Sequence, residues 1–141
     1  MSRPIYETDE DRQREREIAA KVAKAWGGEM VKLTRMYPID YIFVHKGICS
    51  AWVEIKSRTT VKNNYPTYYI DVDKIMFGRQ MSKETGLPFL IVVAWADQTC
   101  FLEITKNYPI RFAGRVDRGD WHDKCPVYEI PINEFQGLEN D

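Results

Sequence analysis

The chain has 141 residues, 44% of them hydrophobic and 13% aromatic, enough for one well-buried domain and too few for two. No apolar run approaches the roughly eighteen residues of a membrane span, Met1-Ser2-Arg3-Pro4 leads into charge rather than a secretory segment, and Cys49, Cys100 and Cys125 form no Cys-x-x-Cys pair. This argues against a membrane protein, a disulfide framework and a zinc site, and predicts a soluble cytoplasmic protein with reduced thiols.

The first predicted element is a helix from Asp9 to Trp26, with Ile18, Val22, Ala25 and Trp26 on one face and Gly27-Gly28 as its stop. At 100° per residue Glu15 falls on that same side, whereas Glu17 lies well off it, and an inward acid needs a partner. A strand follows from Glu29 to Leu33. Two apolar runs then flank Lys46-Gly47-Ile48, the mark of a β-hairpin. With a three-residue turn centred on Gly47, Asp40 falls directly opposite Glu54; a two-residue turn shifts the pairing by one.

Side chains alternate along a strand, so Glu54 and Lys56 point one way while Val53 and Ile55 point the other, into a core. Carboxylates opposed at about 5 Å repel by roughly 3 kcal/mol at an effective dielectric of about 20. A purely structural sheet has little reason to keep such a pair. A divalent cation reverses the sign, since Mg²⁺ takes one or two protein carboxylates together with waters and phosphate oxygens. The competing reading is a solvated Glu-x-Lys ion pair of the kind common on exposed strands.

Beyond the hairpin, residues 57–69 read as a connecting loop of cations, amides and aromatics, in which Arg58 and Lys62 can meet phosphates and Tyr65 or Tyr68 can stack on unpaired bases. The alternative is a surface loop whose tyrosines pack down on the sheet. Lys56, Arg58, Lys62, Lys74, Arg79 and Lys83 make this region locally basic although the net charge is −1. A second helix is predicted from Asp73 to Thr85 on Met76, Phe77 and Met81, closed by Gly86 and Pro88, with Gln80 on the Met76 and Phe77 face. Residues 87–95 form a continuous apolar run, expected as a strand in the sheet centre. Cys100 to Ile104 is its hairpin partner, and Val127 to Ile130 an added edge strand. Asp117, Asp120, His122 and Asp123 read as an exposed loop rather than a metal cluster, and the tail from Gln136 as frayed.

Pro38-Ile39-Asp40 followed by Glu54-Ile55-Lys56 resembles the PD-(D/E)XK nuclease superfamily, with Ile39 inserted between the proline and the acid. The resemblance implies an α/β, restriction-endonuclease-like core in the order αβββαβ, a central mixed sheet flanked by helices. That order runs from about Asp9 to Ala96. The expected organisation is one domain over 1–141, with a core at about 9–105 and a C-terminal β extension at 106–141. The resemblance also implies metal-dependent hydrolysis of a nucleic-acid phosphodiester, with DNA the expected substrate and a phage or bacterial setting. In that chemistry Asp40, Glu54 and the Ile55 carbonyl hold Mg²⁺, for which Mn²⁺ can substitute, and Lys56 positions and helps deprotonate the water. Products would carry a 5′-phosphate and a 3′-hydroxyl.

By the same resemblance Glu15 adds a glutamate to the metal site, against the plainer reading of a first-turn acid favoured by the helix dipole. Gln80 orients substrate or water, against the reading of a partly buried amide. Arg58, Lys62, Tyr65, Lys74 and Arg79 are the candidate nucleic-acid contacts. Symmetric incision of a branched substrate would call for a homodimer. Two rivals come from other classes: a non-catalytic nucleic-acid-binding accessory module that keeps the nuclease core, and a small subunit whose exposed edge pairs with a partner.

Overall fold

The structure is a computed structural model, and it describes residues 8–114 and 124–138. Thr8 opens helix α1 (Asp9–Trp26) through a capping box: its hydroxyl accepts the Asp11 N–H at 3.0 Å, and the Asp11 carboxylate accepts the Thr8 N–H at 3.1 Å. Three antiparallel strands follow, β1 (Glu29–Lys32), β2 (Tyr41–His45) and β3 (Ile48–Ser57). The chain then makes β4 (Thr67–Asp71) and α2 (Val72–Thr85), and returns as β5 (Phe89–Ala94), parallel to β3. After β6 (Thr99–Glu103) come β7 (Ile110–Gly114), β8 (Lys124–Pro131) and the short β9 (Gln136–Gly137).

These strands make a six-stranded mixed sheet in the order β1-β2-β3-β5-β6-β9 and a three-stranded sheet in the order β4-β8-β7. The central sheet buries both faces, as a sheet with a parallel pair at its heart must. On one face α1 sets Ile18 and Val22 against Phe43, Val53, Ile55 and Val92, and Trp26 meets Phe43 and Phe101 edge-on with centroids 5.4 and 5.6 Å away. On the other, α2, the second sheet and the segment after β8 cover Ile39, Trp52, Phe89 and Ile91 with Ile75, Tyr68, Ile130 and Phe135.

The expected element order αβββαβ is present, with β4 inserted before α2. The hairpin reached its register by another route than the three-residue turn. Lys46 (φ 51°) and Gly47 (φ 78°) both occupy the left-handed region, so the turn has two residues and pairs His45 with Ile48. A register shift between Phe43 and Val44 then absorbs one extra residue, and from Phe43 opposite Ala51 to Tyr41 opposite Val53 the pairing is that of the longer turn. The bulge cancels the turn.

Four further expectations are corrected. Residues 57–69 are not all loop: β4 starts at Thr67, and Tyr68 is buried against Trp95 and Phe135 rather than free to stack on a base. Val127 to Ile130 is no edge strand; β8 lies between β4 and β7. The tail is not frayed through Leu138, because Gln136 and Gly137 pair with Phe101 and Cys100, and Leu138 is buried. On α2, Met76 and Phe77 are exposed, while Ile75 and Gly78 face inward. A Cβ on Gly78 would come within 2.3 Å of the Phe89 ring, so the closest-packed point of the helix carries no side chain for a hydrophobic pattern to register. The acidic and histidine positions Asp117, Asp120, His122 and Asp123 lie outside the described residues.

Candidate active site

The β2–β3 ladder ends at the Tyr41–Val53 pair, and the next residue back, Asp40, gives its N–H to the Glu54 side chain (3.3 Å to Oε1) instead of to a strand. Here β2 and β3 part. Backbone groups alternate along a strand, and the N–H groups of Trp52 and Arg58 go to Pro88 and Ala94 on the β5 side. By that alternation the carbonyl of Ile55 points to the side where β2 has ended. Among the described residues no strand pairs with it on that side.

Glu54 is fully buried, with 0% of its surface exposed, on the face of the sheet that α2 and the second sheet cover. The Glu54 carboxylate is therefore set inside a core and not on a solvated strand face, while Lys56 reaches it from a partly exposed position. Two ammonium groups from different elements approach Glu54 Oε2: Lys56 Nζ at 3.3 Å along the same strand, and Lys74 Nζ at 3.5 Å from α2. Neither contact has hydrogen-bond geometry, and Oε2 has no hydrogen-bond partner among the described residues. A buried carboxylate oxygen left so is expensive in the absence of a ligand.

Burial pushes the Glu54 carboxyl above its ordinary range; Lys56 pulls it down, Asp40 raises it further, and the net direction is up. For Lys56 burial disfavours the ammonium, but the charge of Glu54, with Tyr68 and Asp40 behind it, outweighs burial and raises the lysine. Lys56 therefore holds its proton while Glu54 is ionised.

Ile39 explains the residue inserted between the proline and the acid. It is wholly buried in the core beneath α2, anchoring the chain just before Asp40. Lys74 fixes the same segment from the other end of the contact, donating to the Pro38 carbonyl at 2.9 Å. The Asp40 carbonyl in turn accepts the Leu33 N–H at 2.8 Å.

Glu15 reaches the site through an intermediary. Lys32 Nζ lies 2.9 Å from Glu15 Oε1 and 3.7 Å from Asp40 Oδ1, so one lysine at the end of β1 bridges the helix acid to the strand acid. Tyr41, beneath them, is held neutral by burial first and by the Glu15 charge next. Among the described residues no three His, Cys, Asp or Glu side chains are grouped to hold a metal ion. The donors at hand are two carboxylates and one carbonyl, which suits a cation that keeps several waters.

Of the remaining candidates, Arg58, Lys62 and Tyr65 line one pocket of about 530 Å³ beyond Lys56, together with Tyr69 and Trp95. Lys74 belongs to the acid cluster itself. Arg79 and Gln80 stand elsewhere, with Lys83 and Glu84 around a separate hollow; Arg79 bonds Asn107, and the exposed Gln80 amide bonds Glu84 at 3.3 Å. Lys32, and the inward role of Lys74, are what sequence reasoning missed. Finding Lys32 requires the β1–β2 register, and no tight turn sets it, because residues 33–40 separate the two strands.

Comparison with known proteins gives a family and a fold. The model of a family described as "Phage putative PDDEXK endonuclease" matches residues 1–138. In fold, the chain is similar to Hjc, a Holliday junction resolvase from Archaeoglobus fulgidus, with a TM-score of 0.56, 12% identity, and coverage of 86% of this chain and 90% of that one. No curated protein matches in sequence. The likeness to Hjc establishes a restriction-endonuclease-like α/β fold.

Proposed function

The chain belongs to the phage PDDEXK endonuclease family, which makes it a nuclease, and we propose that it hydrolyses phosphodiester bonds of DNA in a metal-dependent reaction centred on Asp40, Glu54 and Lys56. The observation that carries this reading is the parting of β2 and β3, which leaves a buried carboxylate oxygen unbonded beside a second acid and a lysine. Asp40, Glu54 and the Ile55 carbonyl would hold Mg²⁺, with Mn²⁺ able to substitute. When bound, the cation supplies Lewis-acid polarisation of the phosphate and lowers the pKa of a coordinated water.

This chain's own residues do the rest. Ile39 and Lys74 fix the Asp40 segment, so the two acids are set before substrate arrives. Lys56, kept protonated by Glu54, is suited to hold a phosphate oxygen or orient the attacking water; once the Glu54 charge is compensated, its proton is held less tightly and base action comes within reach. Glu15 acts at one remove, orienting Lys32 against Asp40. Arg58, Lys62 and Tyr65 are proposed to contact nucleic acid, as an extension of the site along β3. The return of the C-terminal segment into the central sheet as β9 supports reading 1–141 as a single domain.

The likeness to a Holliday junction resolvase makes DNA the first substrate to try. The test is a panel of single-stranded, duplex, flapped and four-way DNA, with RNA counterparts, incubated with Mg²⁺, Mn²⁺ or chelator. Cleavage of DNA that chelator abolishes, and that Asp40→Ala and Lys56→Ala lose while keeping the wild-type circular dichroism, is expected. DNA binding with no cleavage in any metal would replace the nuclease with the accessory module. Paired symmetric nicks on the four-way substrate would call for two copies of the chain.

A further inference from the structure

The pocket beyond Lys56 has a composition that the acid cluster does not explain. It is a hollow of about 530 Å³ whose rim includes Tyr65, 61% exposed, and Tyr69, 43% exposed. Two cations border it. Arg58 lies over the Tyr68 ring at 4.9 Å and donates to the Ser57 carbonyl, and Lys62 Nζ donates to the Phe135 carbonyl at 3.1 Å. Among the described residues neither side chain forms an ion pair, although the Lys62 backbone N–H donates to Asp97 at 2.9 Å, whereas Arg111, on the same rim, is paired with Glu129 at 2.8 Å. Exposed tyrosine rings and two cations whose side chains form no ion pair among the described residues describe a receptor for an anionic group with a flat ring attached.

One residue joins this pocket to the acid cluster. Tyr68 lines the pocket, and its hydroxyl, fully buried and without a hydrogen-bond partner among the described residues, is acted on by the charges of Arg58, Lys56 and Glu54. Lys56 and Arg58 are two residues apart on extended chain, about 7 Å. A nucleic-acid strand with its scissile phosphate at Lys56 would have Arg58 within reach of the next phosphate and the pocket within reach of the neighbouring base. A base inside a duplex offers only its edges to a protein, because its faces are covered by the stack. Tyrosine faces can be used only by a base outside the stack.

We propose, resting on the nuclease reading, that this pocket receives one unpaired nucleobase adjacent to the scissile phosphate. The preferred substrate is then DNA with an unpaired or extrudable nucleotide at the cut, with Tyr65 and Tyr69 supplying stacking faces and Arg58 and Lys62 holding the flanking phosphate.

The experiment uses the full chain carrying Asp40→Ala, so that nothing depends on cleavage. The probe is a DNA duplex with a single unpaired 2-aminopurine, set against the fully paired duplex of the same sequence. Tighter binding of the bulged probe by at least about fivefold, with a change in 2-aminopurine emission, is expected; adding Tyr65→Ala or Tyr65→Leu removes both, and Tyr65→Phe retains both. Because Tyr65 is exposed, these changes spare the core. Equal affinity for the two probes, or a preference that survives loss of the aromatic ring, overturns the proposal. Failure of the nuclease reading shows separately, as absence of cleavage by the wild-type chain on any substrate of the panel.

Discussion

The two faces of β3 differ in what they ask of the chain. Val53 and Ile55 enter an apolar core under α1, closed by Ile18, Val22 and the Trp26 ring. Glu54, one residue out of phase, enters a second core as a fully buried carboxylate with one oxygen lacking a hydrogen-bond partner among the described residues, and Lys56 and Lys74 approach it from the partly exposed edge of that core. On the first face, packing is the whole account. On the second, ionic groups replace hydrocarbon that would have packed at less desolvation cost, and the compensation is a site already assembled. Stability and activity should therefore separate cleanly between the faces.

The largest expected effect is on the polar face. Glu54→Gln should reduce cleavage at least about 100-fold, by the precedent of deleting one preorganised electrostatic group, as read in a single-turnover assay at saturating Mg²⁺. Next, Ile39→Ala empties a fully buried position that anchors Asp40. It should destabilise the protein by about 2–5 kcal/mol and also lower cleavage, checked by denaturant unfolding alongside activity. Gly78→Ala drives a methyl into the Phe89 ring and should cost about 1–3 kcal/mol, seen as a lower melting temperature.

A pH series sharpens the same contrast. Burial raises the Glu54 carboxyl, so a proton competes for it at a pH where an ordinary glutamate is already ionised. The Mg²⁺ concentration needed for half-maximal cleavage should thus fall as pH rises. The stability sign runs the other way: a raised carboxyl favours the metal-free fold at low pH and loses that contribution as pH rises through its folded value. The smallest effect belongs to the apolar face, where Ile18→Val should cost about 0.5–1.5 kcal/mol by thermal unfolding and leave the cleavage rate unchanged.

What the sequence disclosed follows the range of the interactions involved. α1 and the β2–β3 hairpin are encoded locally, by 3.6-residue periodicity and by Lys46-Gly47, and Asp40, Glu54 and Lys56 could be singled out from them. Their opposition holds with the two-residue turn only because the bulge restores the register of the longer one. The second sheet was not legible, since β4 pairs Thr67 with Pro131 and Asp71 with Val127 across most of the chain, and nothing local announces such a partner. The burial of Glu54 was not legible, because a strand pattern gives the side a residue takes, while what covers that side is decided by α2 and β8. Lys74 was read as a surface cation for the same reason, and α2 turns it inward onto Glu54 and Pro38.

The most direct measurement is an anomalous difference map from crystals of this chain grown or soaked with Mn²⁺. The account predicts a peak held by the carboxylates of Asp40 and Glu54 and the carbonyl of Ile55, and its loss in Glu54→Gln crystals. A peak elsewhere, or none at Mn²⁺ concentrations that support cleavage, would contradict it.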